Sequence, residues 1–217
     1  MKINAIITAG GTSSRFGTKN KLLEKINGIE VIKYTVDAFR YSNVDKIIIC
    51  ANISIMEELK NLFKDYANID IIEGGSTRQQ SVYNGLKHEK CDYVIIHDGA
   101  RPVITTELIN VCVDMVKDVK ALSVMTKTID TIKEVEHGKI VKTIDRSKLY
   151  NTQTPQAFEY NLILSAHKKY EGQSFTDDAG MVEKAGESVY VVDGSYKNIK
   201  ITTQSDIELA KVYLLSL

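Results

Sequence analysis

From the start of the chain through Met125, short apolar runs alternate with helical patterns. Ile3-Asn4-Ala5-Ile6-Ile7-Thr8 reads as a buried strand leading into a Gly-rich turn, and residues 31–41 place Val31, Ile32, Thr35, Val36 and Phe39 on one helical stripe. Residues 46–51 are a β-branched run. Ser54 followed by Glu57 has capping-box spacing, ahead of a helical face made by Ile55, Leu59, Leu62 and Phe63. The pattern then predicts strands at 69–72, 93–97 and 121–125 and helices at 78–88 and 107–117. Strands separated by helices of this length need crossover connections, so the sheet is expected to be mostly parallel with helices on both faces. The unbroken apolar runs at 47–49 and 94–96 suit strands covered on both sides.

Beyond Met125 the rhythm changes. Residues 127–135 and 139–145 alternate polar and apolar positions around Glu136-His137-Gly138, a hairpin signal. Such a hairpin carries too little apolar surface to stand alone, so it is expected to pack on something else, a second subunit being the natural choice. An amphipathic stretch follows at 160–170, then a helix from near Thr176 and strand-like runs at 189–192 and 199–202. A last helix begins after Thr203-Gln204-Ser205-Asp206, again with capping-box spacing. The expected organisation is a single α/β domain over 1–217, with 127–147 as a β-hairpin dimerisation arm.

Composition narrows the function classes. The chain has 217 residues, 43% hydrophobic and 26% charged, which is ordinary for a globular protein and excludes disorder as the dominant state. Lys+Arg 28 balances Asp+Glu 28, so nothing suggests a nucleic-acid or membrane-surface binder, and any anionic ligand must be met by a local cluster. Cys50, Cys91 and Cys112 are odd in number and lack CxxC spacing, which argues against a disulfide framework or structural zinc. No apolar run reaches the roughly 20 residues of a membrane helix, and the Met1-Lys2-Ile3-Asn4 start lacks a signal-peptide pattern. A cytoplasmic protein is expected.

In an open parallel sheet, ligands gather beyond the carboxyl ends of the strands. After the first strand come Thr8-Ala9-Gly10-Gly11-Thr12-Ser13-Ser14-Arg15-Phe16-Gly17. Phe16 breaks the P-loop spacing and Thr12 breaks GxGxxG. What remains is a loop of small residues with free N–H groups and one Arg, suited to a polyphosphate or else a simple strand-to-helix turn. Gly74-Gly75 leads into a helix start with Ser81 one turn on, which suits main-chain reading of a nucleobase or an ordinary capped turn. Asp98, at a strand end with Arg101 three residues on, suits a magnesium ligand with a phosphate anchor, or a structural ion pair. Asp177 and Asp178 suit metal ligation or the dipole of a helix N-terminus, and His97 suits a hydrogen-bonded core position.

Taken in order, these segments resemble the 2-C-methyl-D-erythritol 4-phosphate cytidylyltransferase family of isoprenoid biosynthesis. The matching pieces are Ala9-Gly10-Gly11 with Arg15-Phe16-Gly17; Gly74-Gly75 with Arg78, Ser81-Val82 and Asn84-Gly85-Leu86; and His97-Asp98-Gly99-Ala100-Arg101-Pro102. They continue with Asp130-Thr131-Ile132-Lys133, Asp145-Arg146-Ser147, Gln153-Thr154-Pro155-Gln156 with Phe158, Thr176-Asp177-Asp178-Ala179 with Glu183, and Asn198-Ile199-Lys200-Ile201-Thr202. The resemblance spans essentially the whole chain and implies a Rossmann-like nucleotidyltransferase fold. It also implies that the loop at Thr8, Ala9, Gly10, Gly11 and Arg15 holds the triphosphate of CTP, with Lys21 as its phosphate-binding lysine. Gly74, Gly75 and Ser81 match cytosine and ribose contacts. Asp98 matches the nucleotide- and magnesium-side aspartate, with Arg101 and Lys200 near the reacting phosphates. Thr131 and Arg146 match residues reaching the sugar-alcohol phosphate of a partner subunit, and Thr154 and Thr176 match further substrate positions. Three departures stand out: Ser13 replaces a usual Gly, Gly99 replaces a usual Ala, and Asn20-Lys21 replaces Pro-Lys after a shortened connection, which leaves Lys19 as a rival for Lys21.

The implied reaction is attack of the acceptor phosphate on the α-phosphorus of CTP with loss of pyrophosphate. It needs positioning and electrostatics rather than a nucleophilic side chain. The nearest rival is a ribitol-5-phosphate cytidylyltransferase. A non-catalytic nucleotide-sensing module is disfavoured by Arg15, Lys21, Asp98 and Lys200 together, and an NAD-dependent dehydrogenase by the failed glycine spacing.

Overall fold

The computed structural model describes residues 1–11, 16 and 20–216. In chain order the first elements are β1 (Ile3–Ala9), β2 (Lys25–Ile26), β3 (Ile29–Glu30), α1 (Val31–Arg40), β4 (Lys46–Ala51), α2 (Met56–Leu62), β5 (Ile69–Glu73) and α3 (Arg78–His88). There follow β6 (Tyr93–Asp98), α4 (Thr106–Val119), β7 (Ala121–Lys127), β8 (Ile132–Glu136), β9 (Lys139–Ile144) and β10 (Tyr150–Glu159). Last come α5 (Tyr160–Lys169), α6 (Asp178–Lys184), β11 (Tyr190–Asp193) and α7 (Gln204–Leu214).

Seven strands form the central sheet, in the order β11-β7-β10-β6-β1-β4-β5. Successive side chains of a strand point to opposite faces, and here they feed two cores. Ile3, Ala5, Ile7 and Ala9 of β1, with Ile47, Ile49 and Ala51 of β4, face α1, α2, α4 and α7. Ile6, Ile48 and Cys50 face α3, α5 and α6. Burial explains the β-branched runs, because a strand covered on both sides has no polar face to show.

From β1 the chain steps outward to β4 and β5, then returns to lay β6 along the other edge of β1. Where the order reverses, the helices on either side diverge and a crevice opens beyond the strand ends. Thr8 and Asp98 are in register at that point.

Four local features differ from the sequence reading. Residues 150–159, which give no strand signal, form β10, antiparallel to both β6 and β7 in the middle of the sheet. Residues 199–202 are not a strand; that segment is a loop held by the Ile201 N–H on the Ala100 carbonyl, 2.8 Å. Asn52 rather than Ser54 caps the turn before α2, its side chain accepting from the Ser54 N–H. A small β2–β3 hairpin turns at Asn27-Gly28, both with positive φ, the backbone that an Asn-Gly turn adopts most readily. The longer hairpin forms as expected, with His137 and Gly138 at positive φ in its two-residue turn, although its first strand begins at Ile132 because Lys127 still belongs to β7. The helix after Thr203 also starts as expected, Asp206 Oδ2 accepting from the Thr203 N–H at 2.7 Å.

Candidate active site

A cleft of about 370 Å³ lies beyond the carboxyl ends of β1 and β6. Thr8, Ala9, Gly10 and Gly11 line one side; Ser76, Thr77, Arg78 and Ser81 line another; Lys21, Leu22, Asp98, Ala100, Lys200 and Thr202 complete it. Among the described residues, three cations and one carboxylate line the cleft, in a chain whose formal net charge is zero. Focused positive potential of this kind concentrates anions.

Two glycines bring the turns after β1 and β5 together. A Cβ on Gly10 would sit 2.8 Å from Ser81 Oγ, and one on Gly74 would sit 2.9 Å from it. Ser81 itself is buried, its hydroxyl accepting from the Gly75 N–H at 2.9 Å and donating to the Thr77 carbonyl at 2.9 Å. It locks the Gly74-Gly75 turn to α3, and Thr77 caps that helix by accepting from the Gln80 N–H.

Asp98 is the electrostatic centre. Its Oδ1 lies 3.0 Å from Arg78 Nε, and its Oδ2 lies 2.9 Å from Lys200 Nζ and 3.5 Å from Arg101 Nε. Burial pushes its pKa up, but the fields of Arg78, Lys200 and Arg101 outweigh burial and hold the carboxyl far below the usual carboxylate range. Asp98 is therefore ionised throughout the physiological range. Arg78 is raised although burial opposes its charge, because Asp178 and Asp98 both favour the cation.

Behind Asp98 runs a chain of hydrogen bonds. The Asp98 N–H donates to Thr154 Oγ at 3.1 Å, and Thr154 Oγ lies 3.0 Å from His97 Nδ1, to which it donates when the Nε2 of a neutral ring carries the proton toward the Arg101 carbonyl. That Nε2 lies 3.4 Å from the carbonyl oxygen. Complete burial pushes the His97 pKa down to about 3, in keeping with a neutral ring. On the other flank, Arg101 Nη1 donates to the Asn198 carbonyl at 2.8 Å, and Asn198 Nδ2 donates to the Thr154 carbonyl at 2.8 Å. That pair ties the loop carrying Lys200 to Arg101 and β10. Lys21 Nζ donates to the Ile201 carbonyl at 2.6 Å, so two lysines distant in sequence approach the cleft across one loop.

The expected site residues fall into four groups. Thr8, Ala9, Gly10, Gly11, Lys21, Ser81, Asp98 and Lys200 line the cleft. Gly74, Gly75, Arg101 and Thr154 lie just behind it, the last two as buried supports. Thr131, Arg146 and Thr176 are exposed and outside its lining; Arg146 Nη1 donates to the Ile129 carbonyl. Arg15 and Lys19 lie outside the described residues. Asp177 and Asp178 do not ligate together: Asp177 caps α6 through the Gly180 N–H, while Asp178 is buried against Arg78. Arg78 appeared in the motif without a role, yet it joins Asp98 to Asp178; no local pattern signals a partner 100 residues away.

No group of three or more His, Cys, Asp or Glu that could hold a metal occurs among the described residues. Asp98 is the one carboxylate in the cleft lining there. That donor set does not make an all-protein cage; it fits a magnesium ion that takes most of its oxygen ligands from phosphates and water.

Comparison with known proteins agrees with this geometry. A profile of the 2-C-methyl-D-erythritol 4-phosphate cytidylyltransferase family matches residues 3–216. The cytidylyltransferase of that name from Clostridioides difficile is 40% identical over 224 residues, covering 97% of this chain and 93% of that protein. The one from Bacillus mycoides is 40% identical over 217 residues, covering 96% of each. The crystal structure of 4-diphosphocytidyl-2C-methyl-D-erythritol synthase from Anaerococcus prevotii superposes with a TM-score of 0.88 at 34% identity, over 99% of this chain and 96% of that one. With near-complete coverage in sequence and structure, this chain belongs to the 2-C-methyl-D-erythritol 4-phosphate cytidylyltransferase family.

Proposed function

We propose that this chain transfers the cytidylyl group of CTP to 2-C-methyl-D-erythritol 4-phosphate, releasing pyrophosphate. The observation that carries this reading is the convergence of Lys21, Arg78 and Lys200 around Asp98 in one cleft at the strand ends, in a member of this family. Membership favours the methylerythritol acceptor over ribitol 5-phosphate.

The difficulty of the reaction is charge. A triphosphate and a phosphomonoester must meet, and two unit charges about 4 Å apart at an effective dielectric near 20 repel by about 4 kcal/mol. Lys21 and Lys200, with Arg15, which follows β1 in the sequence, are assigned to the phosphate oxygens, where their charge offsets that repulsion and favours the five-coordinate phosphorus. Gly10 and Gly11 allow close approach of the main chain, and Gly74, Gly75 and Ser81 form the turn assigned to cytosine and ribose. Lys21 is assigned to the phosphates because it lines the cleft and donates to the Ile201 carbonyl beside Lys200. Asp98 would hold magnesium arriving with CTP, and the chemistry supplied when it is bound is neutralisation of charge on phosphate oxygens. Arg101 and Thr154 act from behind, fixing the Lys200 loop and the Asp98 main chain; Thr176 is assigned to the acceptor side.

The β8–β9 hairpin is the proposed dimer arm. Val135, Ile140 and Val141 on it, and Ile129 before it, are exposed, and a two-stranded ribbon is marginal by itself. A second copy covering that face would receive Thr131 and Arg146 at its acceptor site. A cytoplasmic location accords with three buried, unpaired cysteines. Among the described residues no helix is long and apolar enough to cross a membrane.

The test is pyrophosphate release from CTP with the two acceptors in competition. Methylerythritol phosphate is expected to be consumed first at equal concentration; preferential use of ribitol 5-phosphate would reverse the assignment.

A further inference from the structure

Asp178 is not part of the cleft lining, yet it has the marks of a group placed for a purpose. Its side chain is 0% exposed, and a buried carboxylate is costly unless it is paired and hydrogen-bonded. Asp178 Oδ2 lies 2.6 Å from Arg78 Nη1, while Arg78 Nε reaches Asp98 Oδ1 at 3.0 Å. One guanidinium is therefore gripped at two of its nitrogens by carboxylates from different elements, α6 and β6, and planar forks gripped this way have little rotational freedom.

Asp178 is itself fixed from β10. Gln156 Oε1 accepts from the Asp178 and Ala179 N–H groups at 3.1 and 3.2 Å. Gln156 Nε2 donates to Ser123 Oγ at 2.9 Å and to Asp177 Oδ2 at 2.8 Å. His167 Nε2, on α5, stands 3.5 Å from Asp178 Oδ1, with its ring stacked on Tyr83 of α3. Gln156 thus fixes the main chain at Asp178, while Arg78 and His167 flank its carboxylate.

We propose that Asp178 is a positioning residue that acts through Arg78, holding its guanidinium jointly with Asp98 so that it stands on the nucleotide side of the cleft. This rests on the cytidylyltransferase reading and goes beyond it by assigning a role to a residue that touches neither substrate. Without Asp178, Arg78 keeps its pair with Asp98 alone and turns about it. Its contribution to CTP is lost, while the Lys200 side of the cleft is unchanged.

The experiment compares Asp178→Asn, Arg78→Gln and the double variant for kcat, the KM of each substrate, thermal midpoint, and CTP binding by calorimetry without acceptor. Asp178→Asn is expected to raise the KM and Kd for CTP about tenfold, the worth of one charge-assisted hydrogen bond, with the acceptor KM within about twofold. Arg78→Gln and the double variant should match in CTP affinity, because a residue that acts only through Arg78 has nothing left to do once Arg78 is gone. That comparison stands even if the single Asp178 variant does not fold, since the double variant removes both charges of the pair. A double variant clearly weaker for CTP than Arg78→Gln, or an Asp178→Asn protein with unchanged CTP affinity, would overturn the proposal. Failure of the wild type to release pyrophosphate would instead remove the cytidylyltransferase reading, and the calorimetric comparison would still decide the role of Asp178 in CTP binding.

Discussion

The surroundings of Asp98 and the β8–β9 arm are built on opposite plans. Around Asp98 the polar groups are tied mostly inward: its main chain to Thr154, its carboxylate to Arg78, Lys200 and Arg101, and the Lys200 loop to Arg101 and β10 through Asn198. The arm's side-chain pairs lie at the surface, such as Lys142 with Glu134 at 2.9 Å and Lys133 with Thr143 at 2.6 Å, while Ile140 is 65% exposed. Exposed pairs of this kind contribute about 0–1 kcal/mol. The cleft is thus organised by the chain itself before any ligand arrives, and preorganised charge is what a phosphoryl-type transfer requires. The arm lacks the means to organise itself, and the residues assigned to the acceptor, Thr131 and Arg146, sit beside it.

The sharpest way to break this contrast is at Asp98. Asp98→Asn removes the charge that gathers three cations, and kcat/KM is expected to fall about 1,000-fold. Stability should fall by roughly 3 kcal/mol, because Arg78, Arg101 and Lys200 lose their shared partner. Steady-state kinetics and urea unfolding check both; a stable variant of near wild-type turnover would mean the cluster is ornamental. Next comes Lys21→Ala, expected to cut kcat by roughly 100-fold, as for loss of one transition-state donor. Lys19→Ala should leave kcat within about twofold; the opposite ranking would transfer the role to Lys19.

A third test concerns the neutral ring behind Asp98. Burial pushes the His97 pKa down to about 3, against about 6.5 when unfolded. Between these values the unfolded chain binds a proton that the fold refuses, so stability is full above pH 6.5 and is lost as pH falls toward 3. At pH 5 the loss due to His97 is about 2 kcal/mol. Urea unfolding at pH 7.5 and pH 5 should show that loss in the wild type and not in His97→Gln; equal losses would place the titration elsewhere. The smallest effect belongs to the arm. Arg146→Ala should raise the acceptor KM about tenfold, on the scale of one hydrogen bond to a charged group, with the CTP KM and the melting temperature unchanged. Equal loss for both substrates would make the arm purely structural.

The same contrast governs what could be read from the sequence. Apolar periodicity reported β1, β4, β6, α1 and α3 nearly to the residue, because burial on one stripe or both faces leaves a local trace. It failed at β10, whose central residues Gln153, Thr154 and Gln156 are polar and yet buried. Their polarity serves Asn198, Asp98 and Asp178 rather than solvent, so the strand that supports the site hides in the pattern because of that support. The 199–202 run looked like a strand because Ile199 and Ile201 are apolar, but its one sheetward hydrogen bond goes to Ala100 and it spends its length carrying Lys200. Asn27-Gly28 is a turn signal legible in the sequence, and the β2–β3 hairpin turns on it. The Gly-rich loop, Asp98 and Lys200 were legible as a set through resemblance. The Arg78–Asp178 pair was not, since only the fold brings α3 and α6 together.

The central claim is that the cleft organised by Asp98 is where CTP and the acceptor phosphate react. Phosphorus NMR of the wild type and of Asp98→Asn, each with CTP, magnesium and 2-C-methyl-D-erythritol 4-phosphate, tests it most directly. The wild type is expected to yield pyrophosphate and a new diphosphate diester in equal amounts, and Asp98→Asn neither over the same interval. Equal product from both proteins, or no pyrophosphate from the wild type, would contradict it.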